Sequence, residues 1–300
     1  MALTINNSIA SINARRQLEK HTLQLGKTFA RLSSGMRINT SQDDAAGMAI
    51  TNRMVAQIRG MNVAVRNAND GISLAQVAEG ALDETQNALQ RMRELAIQSA
   101  NSTYSSTDRA NLSAEFKQML AEIQRISSTT TFNNNILLGG SARGTGRGTS
   151  FQGTFHVGAN AGQTITIKFS AMNISALGLV SLGPTATITT VTSAINRNAR
   201  LSIGTASKAG SALYRIDSAL DAISTFRASL GALQSRFETV ISSLSNTVEN
   251  TDAARSRIQD ADIATETANL TKYTILQQAG VAILAQANQQ PTIALALLGR

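Results

Sequence analysis

The feature that most constrains the fold is the scarcity of helix-breaking residues over two long stretches. Residues 81–138 contain no glycine, and residues 211–279 contain only Gly231. The whole chain has 2 prolines in 300 residues, so hardly anything prevents a helix from running for many turns. Glycine is densest in residues 139–210, beside serine and threonine. We therefore predict a mainly α protein that is helical at both ends and has an irregular, strand-forming middle.

Apolar residues in the helical stretches recur every three or four positions, which places a narrow stripe on one side of each helix. Comparable stripes occur in residues 112–126 and 213–244. A long helix with so narrow a stripe needs partner helices, so the pattern predicts a long antiparallel helical bundle or coiled-coil rod. The first stripe consists of Leu18, Thr22, Leu25, Phe29 and Leu32.

The middle of the chain predicts a small β-hairpin region at about residues 139–180. Residues 139–148 are rich in glycine and predict an exposed, turn-rich segment. Residues 154–157 and 164–169 follow as short runs, and the second alternates polar with apolar side chains as a half-buried strand does. Residues 186–191 predict either a further strand or a stiff loop.

The spacing of these features suggests three parts. Residues 1–43 and 256–300 are terminal helical segments, residues 44–180 and 211–255 form a helical rod with the hairpin, and residues 181–210 form a short variable outer segment. Two terminal helices paired alone leave apolar surface uncovered and are marginal in water. Such ends would order when copies pack side by side, and a surface that meets a different surface of the next copy gives an open filament. A soluble coiled coil with frayed ends is the alternative.

Composition excludes several functions. With Cys 0, disulfides, zinc–thiolate sites and a cysteine nucleophile are absent. His21 and His156 are the only histidines, and no H-E-x-x-H helix or P-loop occurs, so we expect no metal site, no cofactor and no enzyme activity. The net charge of +8 suits a polyanion partner, but the basic residues are dispersed without interleaved aromatic residues. We therefore expect no nucleic-acid binding.

Neither end of the chain predicts a membrane segment. The first residues lack the basic region and unbroken apolar run of a secretory signal. The apolar stretch 275–298 is interrupted by glutamine and asparagine, so we expect no membrane insertion. If the protein leaves the cell, we expect a route that reads no such signal.

Several long motifs occur in order at the two ends of the chain. They are LSSGMRIN at residues 32–39, DDAAGMAI at 43–50, NDGIS at 69–73, QRMRELA at 90–96, ARSRIQDAD at 254–262, ILQQAG at 275–280 and LAQANQ at 284–289. This set resembles the N- and C-terminal signatures of bacterial flagellins, and the similarity covers roughly residues 1–180 and 211–300. The chain departs from the family at Thr292 and in its short middle, so it resembles a flagellin with little outer decoration.

The resemblance implies a structural subunit that polymerises into the flagellar filament for motility. The terminal segments would form the inner tube, and the central helices with the hairpin would form the next shell. The subunit would be secreted unfolded through type III export and be extracellular in the filament. Its partners would be other copies of itself, an export chaperone, the filament cap and the junction proteins.

The residue pattern and the resemblance together suggest roles for individual residues. Asp43 and Asp44 are expected to cap a helix or to form an intersubunit ion pair with an arginine such as Arg31 or Arg37. Arg91, Leu95 and Glu115 match the flagellin residues that contact the vertebrate Toll-like receptor, and Arg91 and Leu95 are expected to share a helix face. The expected self-assembly residues are Leu18, Leu25, Phe29, Arg31, Leu32, Asp43, Asp44, Leu270, Leu276, Ile283 and Leu284.

Three other functions remain open from the sequence. A hook–filament junction protein shares the terminal helices, although the motif DDAAG and the full C-terminal signature favour a flagellin. A chemoreceptor-type signalling bundle would have a mid-helix hairpin tip where this chain has a glycine-rich segment. A surface module that binds polyanions would account for the positive charge.

Overall fold

A computed structural model describes residues 9–139, 151–179 and 201–298, with side chains to residue 289. Within these residues the chain forms five helices and four short strands, which confirms the mainly α prediction. The helices are α1 (Ile9–Ser34), α2 (Ala45–Ala100), α3 (Ser106–Thr129), α4 (Ala206–Gln259) and α5 (Ile263–Leu298). The strands are β1 (Thr131–Phe132), β2 (Asn135–Ile136), β3 (Gln152–His156) and β4 (Thr164–Lys168).

The chain divides into two compact units. The terminal unit comprises Met1–Ile58 and Val248–Arg300, and the central unit comprises Arg59–Thr247. The terminal unit combines two segments that are far apart in sequence, and the central unit combines several helices of one segment. Each helix needs partners, because a single narrow apolar stripe buries little surface.

The core of the central unit is built from stripes of aliphatic and phenylalanine side chains on three helices. In α4 one stripe is buried at every seventh residue: Ile216, Ile223, Leu230 and Phe237. In α3, Phe116, Ile123 and Ile126 are buried as the predicted spacing in residues 112–126 requires, but Leu120 is buried where the spacing selected Met119, which is only part-buried. Between the helices and the hairpin, the ring of Phe169 meets Phe226 edge to face at 6.0 Å between centroids.

The predicted hairpin is confirmed in β3 and β4. These strands pair antiparallel, with Thr154 opposite Thr166. Ile165 and Ile167 are buried while the alternate residues of β4 are exposed, as the period of two predicts. Phe155 extends the buried face and contacts Phe237 edge to face at 5.9 Å. The predicted turn-rich residues 140–148 and the run 186–191 lie outside the described residues.

Two features of the central unit were not predicted. A second, very short hairpin joins β1 and β2 through Asn133 and Asn134, whose φ angles are 45° and 64°. Asparagine tolerates this left-handed region better than most residues, so the adjacent pair was a readable turn signal. In addition, α4 begins at Ala206, inside the predicted outer segment 181–210, and Leu201 and Ile203 are buried in the core.

Candidate assembly surface

In the terminal unit, α1 and α5 pack against each other in antiparallel directions. Leu18 contacts Gly280, the Ser11 hydroxyl donates to Asn288 Oδ1 at 2.7 Å, and Arg31 lies beside Glu266. Each helix contributes a line of less exposed residues spaced by three and four, as in a coiled coil. We call the two lines the seam: Ser11, Ala14, Leu18, His21, Leu25, Thr28 and Leu32 on α1, and Glu266, Leu270, Tyr273, Gln277, Gly280, Leu284 and Ala287 on α5.

The predicted stripe of α1 is wrong at two positions. Thr22 and Phe29 are exposed, and His21 and Thr28 take their places in the seam. The predicted stripe of α1 and its observed line in the seam share Leu18, Leu25 and Leu32. They differ only in which of the residues between these leucines face α5. A choice based on apolarity selects Phe29, whereas the packing of α1 on α5 selects the smaller Thr28.

The seam contains many small or polar residues. A Cβ atom added at Gly280 would lie 3.3 Å from Leu18 Cδ1, so the helices approach closely at this glycine. The ring of His21 lies 6.5 Å from that of Tyr273. Because the five leucines of the seam are only part-buried and alternate with smaller or polar residues, the seam buries less apolar surface than a seam of leucine throughout would bury.

Large apolar side chains instead point away from the seam. Leu23 and Phe29 are each 64% exposed. Several exposed isoleucine, leucine, valine and phenylalanine side chains on one helix pair are unusual for a soluble monomer and are typical of interaction surfaces. We call these residues the outward apolar set: Ile9, Ile12, Leu23, Phe29, Ile263, Ile275, Val281 and Ile283.

The structure separates the eight apolar residues among the predicted assembly residues into two groups. Phe29 and Ile283 belong to the outward apolar set, and the other six members of the set were not among the predicted assembly residues. The leucines are part-buried along or beside the seam: Leu18, Leu25, Leu32, Leu270, Leu276 and Leu284.

Arg31 lies between two carboxylates of the terminal unit. Its Nη2 is 3.9 Å from Asp43 Oδ1, and its Nη1 is 3.8 Å from Glu266 Oε1. Glu266 is only 8% exposed, and within the described residues neither its Oε1 nor Arg31 Nε has a hydrogen-bond partner. These long ion pairs hold charge near the seam without the geometry of a strong hydrogen bond.

The two adjacent aspartates each accept hydrogen bonds from nearby backbone N–H groups, but in different local structures. Asp43 Oδ2 accepts hydrogen bonds from the backbone N–H groups of Thr40 at 3.0 Å and Asn39 at 3.2 Å. The Thr40 amide chiefly lowers the pKa of Asp43, and the hydroxyl of Thr40 and the charge of Arg31 act in the same direction. Asp44 Oδ1 accepts from the Gly47 amide at 2.8 Å and caps the start of α2. Asp44 thus caps a helix as expected, whereas Asp43 binds amides of the loop before it.

The residues that match receptor contacts do not all share a surface. Arg91 Nε donates to Glu115 Oε1 at 2.9 Å and joins α2 to α3 on the exterior of the central unit. Leu95 is 1% exposed and lies in the core, so the expectation that it shares an accessible face with Arg91 is wrong. Four residues advance a helix by about 40° beyond one turn, which is enough to carry Leu95 from the edge to the buried side.

Within the described part of the chain, no group of three His, Cys, Asp or Glu side chains could hold a metal ion. No helix in the same ranges is long and apolar enough to cross a membrane.

Models of two protein families match most of the chain. The bacterial flagellin N-terminal helical region matches residues 5–143, and the bacterial flagellin C-terminal helical region matches residues 213–298.

Similar proteins match over their whole length. A flagellin of Halalkalibacterium halodurans is 43% identical over 296 residues, which cover 99% of this chain and 100% of that protein. The flagellar filament 33 kDa core protein of Treponema phagedenis is 41% identical over 298 residues, again 99% of this chain and 100% of that protein. A solved flagellar hook-associated protein of Vibrio parahaemolyticus has a TM-score of 0.57 at 14% identity and covers 73% of this chain and 100% of that one, a likeness of fold alone.

Proposed function

The chain belongs to the bacterial flagellin family and is a structural subunit that polymerises into the flagellar filament, and we propose that its copies join through the outward apolar set of α1 and α5. The observation that carries this proposal is the inverted pattern of the terminal unit. Its seam is rich in small and polar residues, while isoleucine, leucine, valine and phenylalanine face outward.

The energetics favour assembly over an isolated helix pair. Full burial of one large apolar side chain contributes about 1.5–3 kcal/mol, so covering the outward apolar set adds a stabilisation that the isolated helix pair lacks. A surface that is covered only by other copies stabilises the assembled state in proportion to their concentration. We infer that α1 and α5 become fully ordered upon assembly.

The geometry of the surface favours open growth. The part of the outward apolar set on α1 includes Leu23 and Phe29, whereas the part on α5 includes Ile275 and Ile283, so the two sides are not alike. If the α1 side of one copy meets the α5 side of the next, the contact is heterologous and repeats as a helical filament.

The finer assignments are part of the same proposal. Residues 1–43 and 256–300 would form the inner tube, residues 44–180 and 211–255 the next shell, and residues 181–210 the outer surface. The subunit would be exported unfolded through the type III path, held by a chaperone at its C-terminal helix, and inserted beneath a cap beyond the junction proteins. Its location would then be the extracellular filament. A chain with Cys 0 is suited to crossing a narrow channel unfolded, because no disulfide has to be reduced.

Receptor recognition would involve the exterior of the central unit. Arg91 and Glu115 form an exposed ion pair that a receptor of complementary charge could engage, whereas buried Leu95 would act only by supporting the helix. Arg91 also pairs with Glu94 at 2.9 Å, so the arginine is held in place before any partner arrives.

The test is seeded assembly followed by electron microscopy. A triple variant, Leu23→Ser, Phe29→Ser and Ile283→Ser, removes outward apolar surface and is expected to leave soluble subunits where the wild type gives filaments. The matched control changes three exposed polar residues of the same helices, Lys20→Ser, Gln24→Ser and Gln278→Ser, with a comparable loss of helix propensity. Filaments from the apolar variant at wild-type yield, or none from the control, would contradict the proposed surface.

A further inference from the structure

In the terminal unit, the residues just after α1 bind the last residues of α4 and the residues just before α5. Met36 and Asp260 form an antiparallel bridge, the Arg37 amide donates to the Gln259 carbonyl at 2.7 Å, and the Ala261 amide donates to the Gly35 carbonyl at 2.9 Å. These bonds have good hydrogen-bond lengths and join two segments more than 200 positions apart in sequence. We call this group the clamp: Gly35, Met36, Arg37, Ile258, Gln259, Asp260 and Ala261.

Arg37 is the central side chain of the clamp. Its Nη2 donates to the Ile258 carbonyl at 2.5 Å, next to the Gln259 carbonyl that its backbone amide binds. The last carbonyls of a helix lack partners within the helix, and a cation is favoured there by the helix dipole. Arg37 therefore satisfies two successive carbonyls at the end of α4. From the sequence, Arg37 was expected only as an ion-pair partner of Asp43 or Asp44.

Gly35 provides the turn that brings Arg37 into place. Its φ of +70° is a conformation that residues with a side chain rarely adopt, and a Cβ added there would meet nothing within 4 Å. The glycine is thus required by the backbone and not by crowding.

The seam alone does not specify which residues of α1 and α5 face each other. If α1 shifted by seven residues toward the C-terminal end of α5, about 10 Å, Leu18 would face Ala287 and Leu25 would face Gly280. A leucine would again oppose a small residue, so the apolar pattern hardly distinguishes the two registers.

The polar contacts along the seam are weaker candidates for fixing the register. The single Ser11–Asn288 hydrogen bond is exposed to solvent, and the Arg31–Glu266 separation of 3.8 Å exceeds a hydrogen bond. The clamp lies directly beside the end of α1 and the start of α5, and a shift of seven residues must break its bonds.

We propose that the clamp, with Arg37 as its positioning residue, sets the register of α1 against α5 and thereby aligns the outward apolar set for contact with neighbouring copies. The inference rests on the proposed assembly through these helices. In the shifted register, the α1 part of the outward apolar set lies about 10 Å out of line with the α5 part, so the subunit fits poorly beside a correctly paired copy.

Cysteine cross-linking can read the register, since the natural chain has Cys 0. Ala14→Cys with Leu284→Cys reports the observed register, because each residue lies four positions from the Leu18–Gly280 contact. His21→Cys with Leu284→Cys reports the shifted register and is too distant in the observed one for a disulfide. Full-length protein is oxidised after seeded assembly, and an intramolecular disulfide is scored on a non-reducing denaturing gel.

With an intact clamp, the first pair is expected to cross-link and the second is not. The variant Gly35→Ala with Arg37→Ala is expected to raise the ratio of shifted to observed cross-link at least about tenfold, the effect of losing one or two hydrogen bonds and straining one residue. The single variant Arg37→Lys, with Gly35 unchanged, is expected to keep most molecules in the observed register, since an ammonium group can still donate to the Ile258 carbonyl. The matched control, Ser11→Ala with Asn288→Ala, is expected to leave the ratio unchanged.

An unchanged ratio in the clamp variant would overturn the inference, and so would a control that shifts the register by itself. The reporter with the intact clamp separates this from the assembly proposal. If it cross-links in the observed register but gives no filaments, the clamp stands and assembly through α1 and α5 fails. If it gives filaments without that cross-link, assembly stands and the clamp does not.

Discussion

The central and terminal units use similar helices in opposite ways. The central unit places its large side chains inward, so that Phe116, Leu120, Ile216 and Phe237 are almost fully buried. The terminal unit places small and polar residues between its helices and leaves Leu23 and Phe29 largely in water. The difference indicates that one unit is completed by its own chain, whereas the other is completed by copies of itself.

The largest expected effect is in the central core. Phe237→Ala removes a buried ring that packs against Phe155 and over Gly71, and it should lower the free energy of unfolding of the subunit by about 3–5 kcal/mol. Urea denaturation of unassembled protein measures this change. If Phe29→Ala destabilised the unassembled subunit by as much, the contrast between the two units would be lost.

The next effect concerns assembly alone. Leu23→Ala and Phe29→Ala should each change the unfolding free energy of the subunit by less than about 0.5 kcal/mol, because both side chains are exposed. Each should raise the concentration of free subunit left in equilibrium with filaments about tenfold, as expected when roughly 1.4 kcal/mol of contact is lost. Sedimentation of seeded filaments measures that concentration, and a drop in subunit stability with unchanged assembly would reverse the assignment.

The difference between the two units also explains why the sequence predicted the central unit more accurately than the terminal one. In α3 and α4 nearly every large apolar residue faces the core, so spacing alone identified Phe116, Ile123 and Ile216. In α1 apolar residues face both the partner helix and other copies, so apolarity could not distinguish Phe29 from the true seam residue Thr28. The spacing of apolar residues in one chain does not distinguish contacts within the subunit from contacts with neighbouring subunits.

Other differences arose from contacts distant in sequence. Arg37 looked like an ion-pair partner for an aspartate, but it binds the Ile258 carbonyl, which lies 221 positions away. Leu95 matched a surface motif, yet the packing of α2 puts it in the core. Neither position is fixed by local spacing.

A smaller effect is expected where the terminal helices touch most closely. Gly280→Ala adds a Cβ that would lie 3.3 Å from Leu18 Cδ1, so the leucine must move by a few tenths of an ångström or the helices must separate. We expect a few-fold rise in the free subunit concentration, and we expect Leu18→Ala to relieve part of it in the double variant. Strictly additive effects of the two changes would indicate that they do not interact.

The smallest expected effect is electrostatic. The lowered pKa of Asp43 means that its carboxylate stabilises the folded terminal unit above its unfolded pKa of about 3.9, and that this contribution is lost as pH falls through the lower folded value. Asp43→Asn should therefore lower the melting temperature of filaments near neutral pH, and the difference from wild type should shrink below about pH 4. Calorimetry across this range checks the sign, and a gap that widened in acid would contradict it.

Hydrogen exchange, read by mass spectrometry on the full chain before and after assembly, tests the contrast between the units most directly. We expect that in the unassembled subunit α1 and α5 exchange rapidly while the buried segments of α3 and α4 are protected. On assembly, α1 and α5 should become protected and the central segments should change little. Strong protection of α1 and α5 already in the free subunit would show that the terminal unit completes itself, and would contradict the account.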